Sequence, residues 1–237
     1  MNRREPGRKK AVCLVSGGLD SCVAAAVAEQ RYEVFFLHLR YGQRTQRRER
    51  RSFDRICRYY GLSADRRRVV DLPFLGAVGG SALTDRAVGI PRCLSRPGDI
   101  PATYVPFRNS VFLSYAVAWA EALGASAVVI GAVESDSAGY PDCRRTYFDA
   151  YNALIREGSK AGGGIRVDPP LLTMDKTEVV RRGLELNAPL HLTWSCYGRS
   201  RRACGECESC RLRLSAFQAV GVSDPLPYRK IPKEYSL

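Results

Sequence analysis

Six consecutive residues, Ser16-Gly17-Gly18-Leu19-Asp20-Ser21, set paired glycines, two hydroxyls and a carboxylate directly after a short apolar run, Ala11 to Val15. Glycines let the backbone turn tightly, and successive N–H groups at the start of a following helix form a cradle for anions. No Gly-Lys-Ser/Thr follows, so this is not a Walker A loop, and the third glycine of a dinucleotide fingerprint is absent. Ser16 and Ser21 add hydroxyl donors. A carboxylate beside phosphates is repelled unless a cation lies between them, so Asp20 implies Mg²⁺. The plainer alternative is a strand-to-helix turn capped by Asp or Ser.

A second constellation is Cys196-x7-Cys204-x2-Cys207-x2-Cys210, four thiols that can close a tetrahedral shell. Zn²⁺ is the expected occupant. An iron–sulfur cluster is the rival, but that pattern wants a further Cys followed by Pro shortly downstream, and none follows Cys210. A full Cys₄ shell leaves no open position, so the metal should organise the fold rather than perform chemistry. The other five cysteines, Cys13, Cys22, Cys57, Cys93 and Cys143, are scattered and read as small core residues. Cys143 could be a nucleophile but is assigned to shape.

These residues must be held by something. Ala11 to Val15 reads as a strand covered on both faces, Ser21 to Gln30 as a helix and Tyr32 to Leu39 as a second strand. Phe53, Ile56, Cys57 and Tyr60 recur at helical spacing within 45–60, which predicts an amphipathic helix with arginines outside. Arg68 to Val70 is a brief third strand before a long Gly, Pro and Ser-rich loop from Asp71 to Pro106. Asn109 is expected to cap a largely buried helix from Ser110 to Leu123. A strand at 127–130, a helix at 146–157, a strand at 165–167 and a last helix at 175–186, ahead of the cysteines, complete the pattern. The tail from Gly221, with three prolines, reads as an extended strap or a disordered end. Alternation of this kind predicts an α/β fold: a doubly wound parallel sheet of about five strands, with ligands beyond the carboxyl ends of the strands. Residues 1–195 form the expected α/β domain and 196–237 a small zinc-binding element.

The 237 residues suit one large domain. Hydrophobic residues at 45% and charged residues at 26% are ordinary for a globular chain and exclude a disordered, collagenous or coiled-coil class. No run approaches a membrane span, and the basic N-terminus lacks the h-region of a signal peptide, so a cytoplasmic location is expected. The net charge of +13 is uneven: the stretch from Arg40 to Arg68 holds eleven arginines against Glu49, Asp54 and Asp65. Such a run can collect polyanions or simply form a solvated helix face.

The loop Val15-Ser16-Gly17-Gly18-Leu19-Asp20-Ser21-Cys22-Val23-Ala24-Ala25 resembles the pyrophosphate loop of the N-type ATP pyrophosphatases, which cleave ATP between the α and β phosphates and transfer AMP to a substrate oxygen. The segments Tyr41-Gly42-Gln43-Arg44, Val105-Pro106-Phe107-Arg108-Asn109, Gly131-Ala132-Val133-Glu134 and Gly139-Tyr140-Pro141-Asp142-Cys143-Arg144, with the Trp194-Ser195-Cys196 entry to the cysteines, narrow this. Together they resemble the 7-cyano-7-deazaguanine synthase family of queuosine-precursor biosynthesis over about residues 11–230. Phe107 stands where that motif has Gly.

The resemblance implies conversion of 7-carboxy-7-deazaguanine, ammonia and ATP into the nitrile through an adenylated carboxylate and then an adenylated amide. It implies ATP, Mg²⁺ and Zn²⁺ as bound groups and a homodimer with no obligatory nucleic-acid partner. Asp20, Ser16, Lys176 and Arg108 are the candidate catalytic residues. Glu134, Asp136, Asp142 and Arg144 are the candidates to read the substrate, since a carboxylate can accept from two N–H groups of a deazaguanine edge at once. Arg108, Arg144 and Lys176 could neutralise developing charge. Two rivals are a tRNA-modifying ATP pyrophosphatase of the thiolase or lysidine type and a zinc-finger nucleic-acid-binding regulator. The first lacks an RNA-binding domain and the second a recognition helix after Cys210.

Overall fold

A computed structural model describes residues 7–91, 99–134, 139–198 and 201–235. Five parallel strands, β1 (Lys10–Leu14), β2 (Glu33–Arg40), β3 (Arg67–Asp71), β4 (Ala127–Val129) and β5 (Arg166–Asp168), lie in the order β3-β2-β1-β4-β5. The chain winds outward from β1 in one direction and then, after β3, returns to the other side of β1. That reversal places a switch point, with its crevice, at the carboxyl ends of β1 and β4.

Among the described residues seven α-helices flank the sheet: α1 (Leu19–Glu29), α2 (Gln46–Tyr59), α3 (Pro73–Ala77), α4 (Arg108–Leu123), α5 (Arg145–Gly158), α6 (Lys176–Glu185) and α7 (Glu208–Val220). Alternation along the strands sorts them into two layers. Ala11, Cys13 and Val15, with Val34 and Phe36, face one core, where Cys22 and Val23 of α1, Phe53 and Ile56 of α2, Val179 and Val180 of α6 and Phe217 of α7 pack. Val12 and Leu14, with Phe35 and Leu37, face the other, against Leu113 and Trp119 of α4 and Phe148 and Ile155 of α5. Strands buried on both faces are why β1 is apolar throughout its buried length. The doubly wound parallel architecture expected above is therefore present.

Local expectations fail in four places. Asn109 does not cap its helix: α4 begins one residue earlier, at Arg108, and Asn109 lies inside it, its backbone N–H donating to Asp142 Oδ2 at 3.1 Å. The cap thus comes from 33 residues downstream. Nor is α4 buried all round, because Val111, Phe112, Tyr115 and Val117 are half-buried. The long loop holds a helical turn, α3. Most consequentially, a helix that the pattern does not announce comes after α6: α7 starts at Glu208, within the cysteine cluster, and carries Cys210. Of the scattered cysteines, Cys13, Cys22, Cys57 and Cys143 are buried as expected, whereas Cys93 lies outside the described residues.

Phe107 adopts φ 56° and ψ 22°, a left-handed conformation that a side chain resists by about 1–2 kcal/mol and glycine does not. The departure from Gly in that motif leaves the turn intact and turns the phenyl ring out to solvent. Among the described residues no helix is long and apolar enough to cross a membrane.

Candidate active site

The turn after β1 has the features an anion cradle needs. Gly17 has φ +91°, and a Cβ there would stand 2.6 Å from the carbonyl oxygen of Glu49, so the first turn of α2 rests directly on the loop. Gly18 is the N-cap of α1 and no side chain caps that helix. The amides of its first turn are therefore left for an exogenous acceptor, which argues against the ordinary capped turn. Ser16 Oγ accepts from the Gly18 N–H at 3.1 Å and lies 3.0 Å from Ser21 Oγ, which donates to the Gly18 carbonyl at 3.1 Å. Both hydroxyls thus hold the turn's shape. On the other flank a Cβ on Gly131, just beyond β4, would sit 2.7 Å from the backbone of Asp20 and Ser21. Only glycine lets the chain leaving β4 come this close to the first turn of α1.

Asp20 projects from the first turn of α1. Lys176, the first residue of α6, donates to its Oδ1 at 2.8 Å, with side chains 15% and 33% exposed for lysine and aspartate. A capping box seats the helix that presents Lys176: Asp175 accepts from the Glu178 N–H, and the Glu178 carboxylate accepts from that of Asp175, each at 2.8 Å. The ammonium is a cation beside the phosphate cradle that sequence reasoning did not pair with Asp20. The Asp20 carboxylate meets Lys176 through Oδ1 and still fits a second cation between itself and a phosphate.

Arg108 lies across the crevice, its guanidinium donating to Tyr41 Oη at 3.3 Å. Tyr41 and Asp142 nearby hold Arg108 firmly charged against the cost of burial. Asp142 is buried and already serves α4: Oδ2 caps Asn109, its carbonyl accepts from Asn109 Nδ2 at 3.0 Å, and Oδ1 is buried without a hydrogen-bond partner. Glu134 Oε1 accepts from the Arg145 N–H at 3.1 Å and so caps α5. Arg144 is exposed at the N-cap of that helix. Asp136 lies outside the described residues. The structure thus groups Ser16, Asp20 and Lys176 tightly, sets Arg108 and Asp142 together on another wall, and uses Glu134 as a helix cap.

His38 was not foreseen as part of this region. It is fully buried on β2, stacked on Phe53, with Nδ1 3.0 Å from the carbonyl of Val15, the residue before the loop. That contact requires Nδ1 to donate, which makes the ring the neutral Nδ1–H tautomer. Burial is the largest influence and lowers its pKa to about 4, with Arg50 and Arg40 adding to the fall and the Val15 carbonyl and Asp54 opposing it. Above pH ~6.5 the ring is neutral folded or unfolded and contributes no pH dependence. As pH falls below that value the unfolded chain takes up a proton that the folded chain refuses until about pH 4. Urea unfolding should therefore show about 3 kcal/mol of stability lost over that window. His38→Gln should lack this component, and equal acid sensitivity in the two proteins would refute it.

Opposite the loop, the Trp194 N–H donates to the Gly17 carbonyl at 2.8 Å and its indole N–H to the Cys196 carbonyl at 3.0 Å. The Arg48 guanidinium stacks 4.4 Å from the Trp194 ring. Beyond Trp194 the sulfurs of Cys196, Cys204, Cys207 and Cys210 all lie within 4.8 Å of one another. The Cys204 and Cys210 sulfurs are 3.8 Å apart. Four sulfurs at ~2.3 Å around a tetrahedral ion would stand about 3.8 Å apart, so the donor set and spacing fit a metal site. Backbone N–H groups of Cys207 and Glu206 donate to Cys204 Sγ at 3.2 and 3.4 Å, and that of Cys204 to Cys196 Sγ at 3.4 Å.

The tail is a strap rather than a loose end. Ala203 bridges Tyr228, and Asp224 receives Arg213 of α7 through Nε at 2.7 Å and Nη2 at 3.0 Å. This ion pair is almost wholly buried, and Arg213 also donates to Thr193 Oγ1, Ser195 Oγ and the Leu190 carbonyl.

The family model described as "Queuosine biosynthesis protein QueC" matches residues 10–221. A 7-cyano-7-deazaguanine synthase of Chlorobaculum parvum is 49% identical over 224 residues, covering 94% of this chain and 98% of that protein. One of Acidobacterium capsulatum is 51% identical over 227 residues, with the same coverage of both chains.

Proposed function

This chain belongs to the queuosine biosynthesis protein QueC family, and from that premise we propose that it converts 7-carboxy-7-deazaguanine, ammonia and ATP into 7-cyano-7-deazaguanine. The single observation that carries the chemistry is the uncapped start of α1 beside the Asp20–Lys176 pair: a place for departing pyrophosphate with acid and ammonium groups already set against it.

The carboxylate of the substrate is a poor electrophile. Its oxygen attacks the α-phosphorus of ATP, pyrophosphate leaves into the amides following Gly18, and an acyl adenylate results. Lys176 offsets charge on the phosphates, and Arg108, held by Tyr41, faces the carboxylate. Ammonia displaces AMP to give the amide. A second adenylation, now of the amide oxygen, followed by loss of AMP and a proton leaves the nitrile, so one nucleotide site used twice suffices. Mg²⁺ would be held by Asp20 with phosphate oxygens and would supply further charge neutralisation.

Asp142 and Arg144 border the substrate pocket in this reading, together with Glu134 and Asp136. Asp142 is the best supported of them, because its Oδ1 is buried with no partner and can accept an N–H from a base edge. The four cysteines hold Zn²⁺ as a fold organiser within residues 196–237, next to the ATP-handling part, residues 1–195. A homodimer in the cytoplasm completes the proposal.

The test is incubation with 7-carboxy-7-deazaguanine, ammonium and Mg-ATP, followed by mass spectrometry. Nitrile, AMP and pyrophosphate are the expected products, and ADP with orthophosphate would overturn the mechanism.

A further inference from the structure

Ammonia reaches the protein at neutral pH almost entirely as ammonium, which has no lone pair. An enzyme that adds it to an acyl adenylate gains from a group that binds the cation and removes a proton. The carboxylates assigned so far have other tasks: Asp20 is paired with Lys176, and Asp142 and Glu134 are given to the substrate edge, which leaves the base to be found.

Glu49, the fourth residue of α2, is a carboxylate that the proposed mechanism leaves without a task. Its Oε2 accepts from Gln43 Nε2 at 3.0 Å and its Oε1 from the hydroxyl of Thr45. Gln43 is itself buried and fixed: its Oε1 accepts from the Tyr41 N–H at 2.8 Å, so the amide nitrogen must face the carboxylate. This gives the Tyr41-Gly42-Gln43-Arg44 segment a physical purpose, to aim Gln43 at Glu49. The carboxylate forms no ion pair with any described residue, and each oxygen, with one donor apiece, keeps room for another. Burial raises its pKa, and the Gln43 and Thr45 bonds and the nearby charge of Arg108 pull the other way. The position is suitable too. The Glu49 backbone rests on Gly17 of the phosphate loop, and Arg108 is close enough to act on the carboxylate electrostatically.

We propose that the Glu49 carboxylate is the ammonium subsite, taking up ammonium between the phosphate loop and Arg108 and removing its proton. This rests on the nitrile-forming reading above. An N–H bond of ammonium breaks and an O–H bond forms on Glu49. The freed lone pair attacks the acyl carbon, and the carbon–oxygen bond to AMP breaks with its electron pair leaving on the phosphate. The second surplus proton passes from nitrogen to solvent, giving the amide, and Glu49 returns its own proton to solvent before the next turnover. A small cation with tetrahedrally disposed donors suits a carboxylate with vacant acceptor directions and no fixed partner.

Glu49→Gln in the full chain tests this, because glutamine keeps an acceptor for Gln43, and the Thr45 hydroxyl can rotate to accept from its new amide. Three readouts separate the steps. Pyrophosphate released from substrate and Mg-ATP in a single turnover without ammonium should stay within about twofold of the parent protein. Amide formation with ammonium should fall about a hundredfold in kcat/KM, with the KM for ammonium raised and recovery at high pH, where free ammonia accumulates. Hydroxylamine, already neutral at pH 7, should form hydroxamate at near-parental rate in the variant.

Equal loss of pyrophosphate release and of both nucleophile reactions would mean that Glu49 only props the loop, and would overturn the proposal. So would an unchanged dependence on ammonium. Should the parent protein release no pyrophosphate from these substrates, the failure lies in the nitrile-forming reading, which the first readout identifies by itself.

Discussion

Asp20→Asn should reduce AMP formation by about a thousandfold while the protein unfolds at nearly the same urea concentration as its parent. The asymmetry follows from where the carboxylate sits. It is one-third exposed in the first turn of α1 and makes one ion pair, to Lys176 at 2.8 Å. A pair so open to water contributes about 0–1 kcal/mol to folding, and an acid in the first turn of a helix about 0.3–1 kcal/mol more. Neither threatens a domain whose stability is on the order of 5–15 kcal/mol.

Its place beside the cradle makes the same group costly to lose for chemistry. Asparagine is close to isosteric but neutral, so it neither fixes the Lys176 ammonium nor offers an anionic ligand to a cation bridging to phosphate. Lys176→Ala should also lose activity, and the double variant should be little worse than either single one if the two side chains act as a unit. Pyrophosphate release and urea midpoints measured on all three variants decide the matter. Undiminished turnover by Asp20→Asn would remove Asp20 from the mechanism.

What the sequence discloses here depends on how local the cause is. The phosphate loop is written in adjacent residues, with Gly17 and Gly18 between an apolar strand and a helix, and the structure places it where the pattern does. The amphipathic stripe of Phe53, Ile56 and Cys57 likewise announces α2. Helix α7 escapes because its buried set, Cys210, Arg213, Leu214, Ala216 and Phe217, contains metal-ligand and charged residues and shows no clean apolar stripe. The start of α4 escapes because its cap, Asp142, arrives from a distant segment, and Asn109 offers a plausible but wrong local substitute. In the sequence Glu49 is one of three acids among eleven arginines. Only the fold reveals that Gln43 and Thr45 hold it against the loop while the arginines at 47, 51 and 55 face solvent. His38 belongs to the same class, since its partner Val15 is a neighbour across the sheet and not along the chain.

Cys207→Ser, or exhaustive chelation, should lower stability on the order of 5 kcal/mol and abolish nucleotide chemistry as well. The cysteines lie between two structures that need each other. On one side Cys196 is joined through Trp194 to Gly17, the residue whose φ of +91° shapes the cradle. On the other, Cys207 is the N-cap of α7, which carries Arg213 into its buried set of bonds and Phe217 into the core beneath the sheet. Small zinc domains owe about 10–16 kcal/mol of apparent stability to the ion, because almost nothing else holds them. Here Phe217, Ala216 and the Arg213–Asp224 pair survive its loss, so the expected cost is a fraction of that figure. What does not survive is the aim of Arg213 at Thr193 and Ser195, and with it the register of Trp194 on Gly17. The parent protein should be colourless and carry a single zinc per chain by elemental analysis; a brown protein would replace zinc with an iron–sulfur cluster. A Cys207→Ser protein that kept both its unfolding midpoint and its pyrophosphate release would show that the thiols carry neither the fold nor the loop.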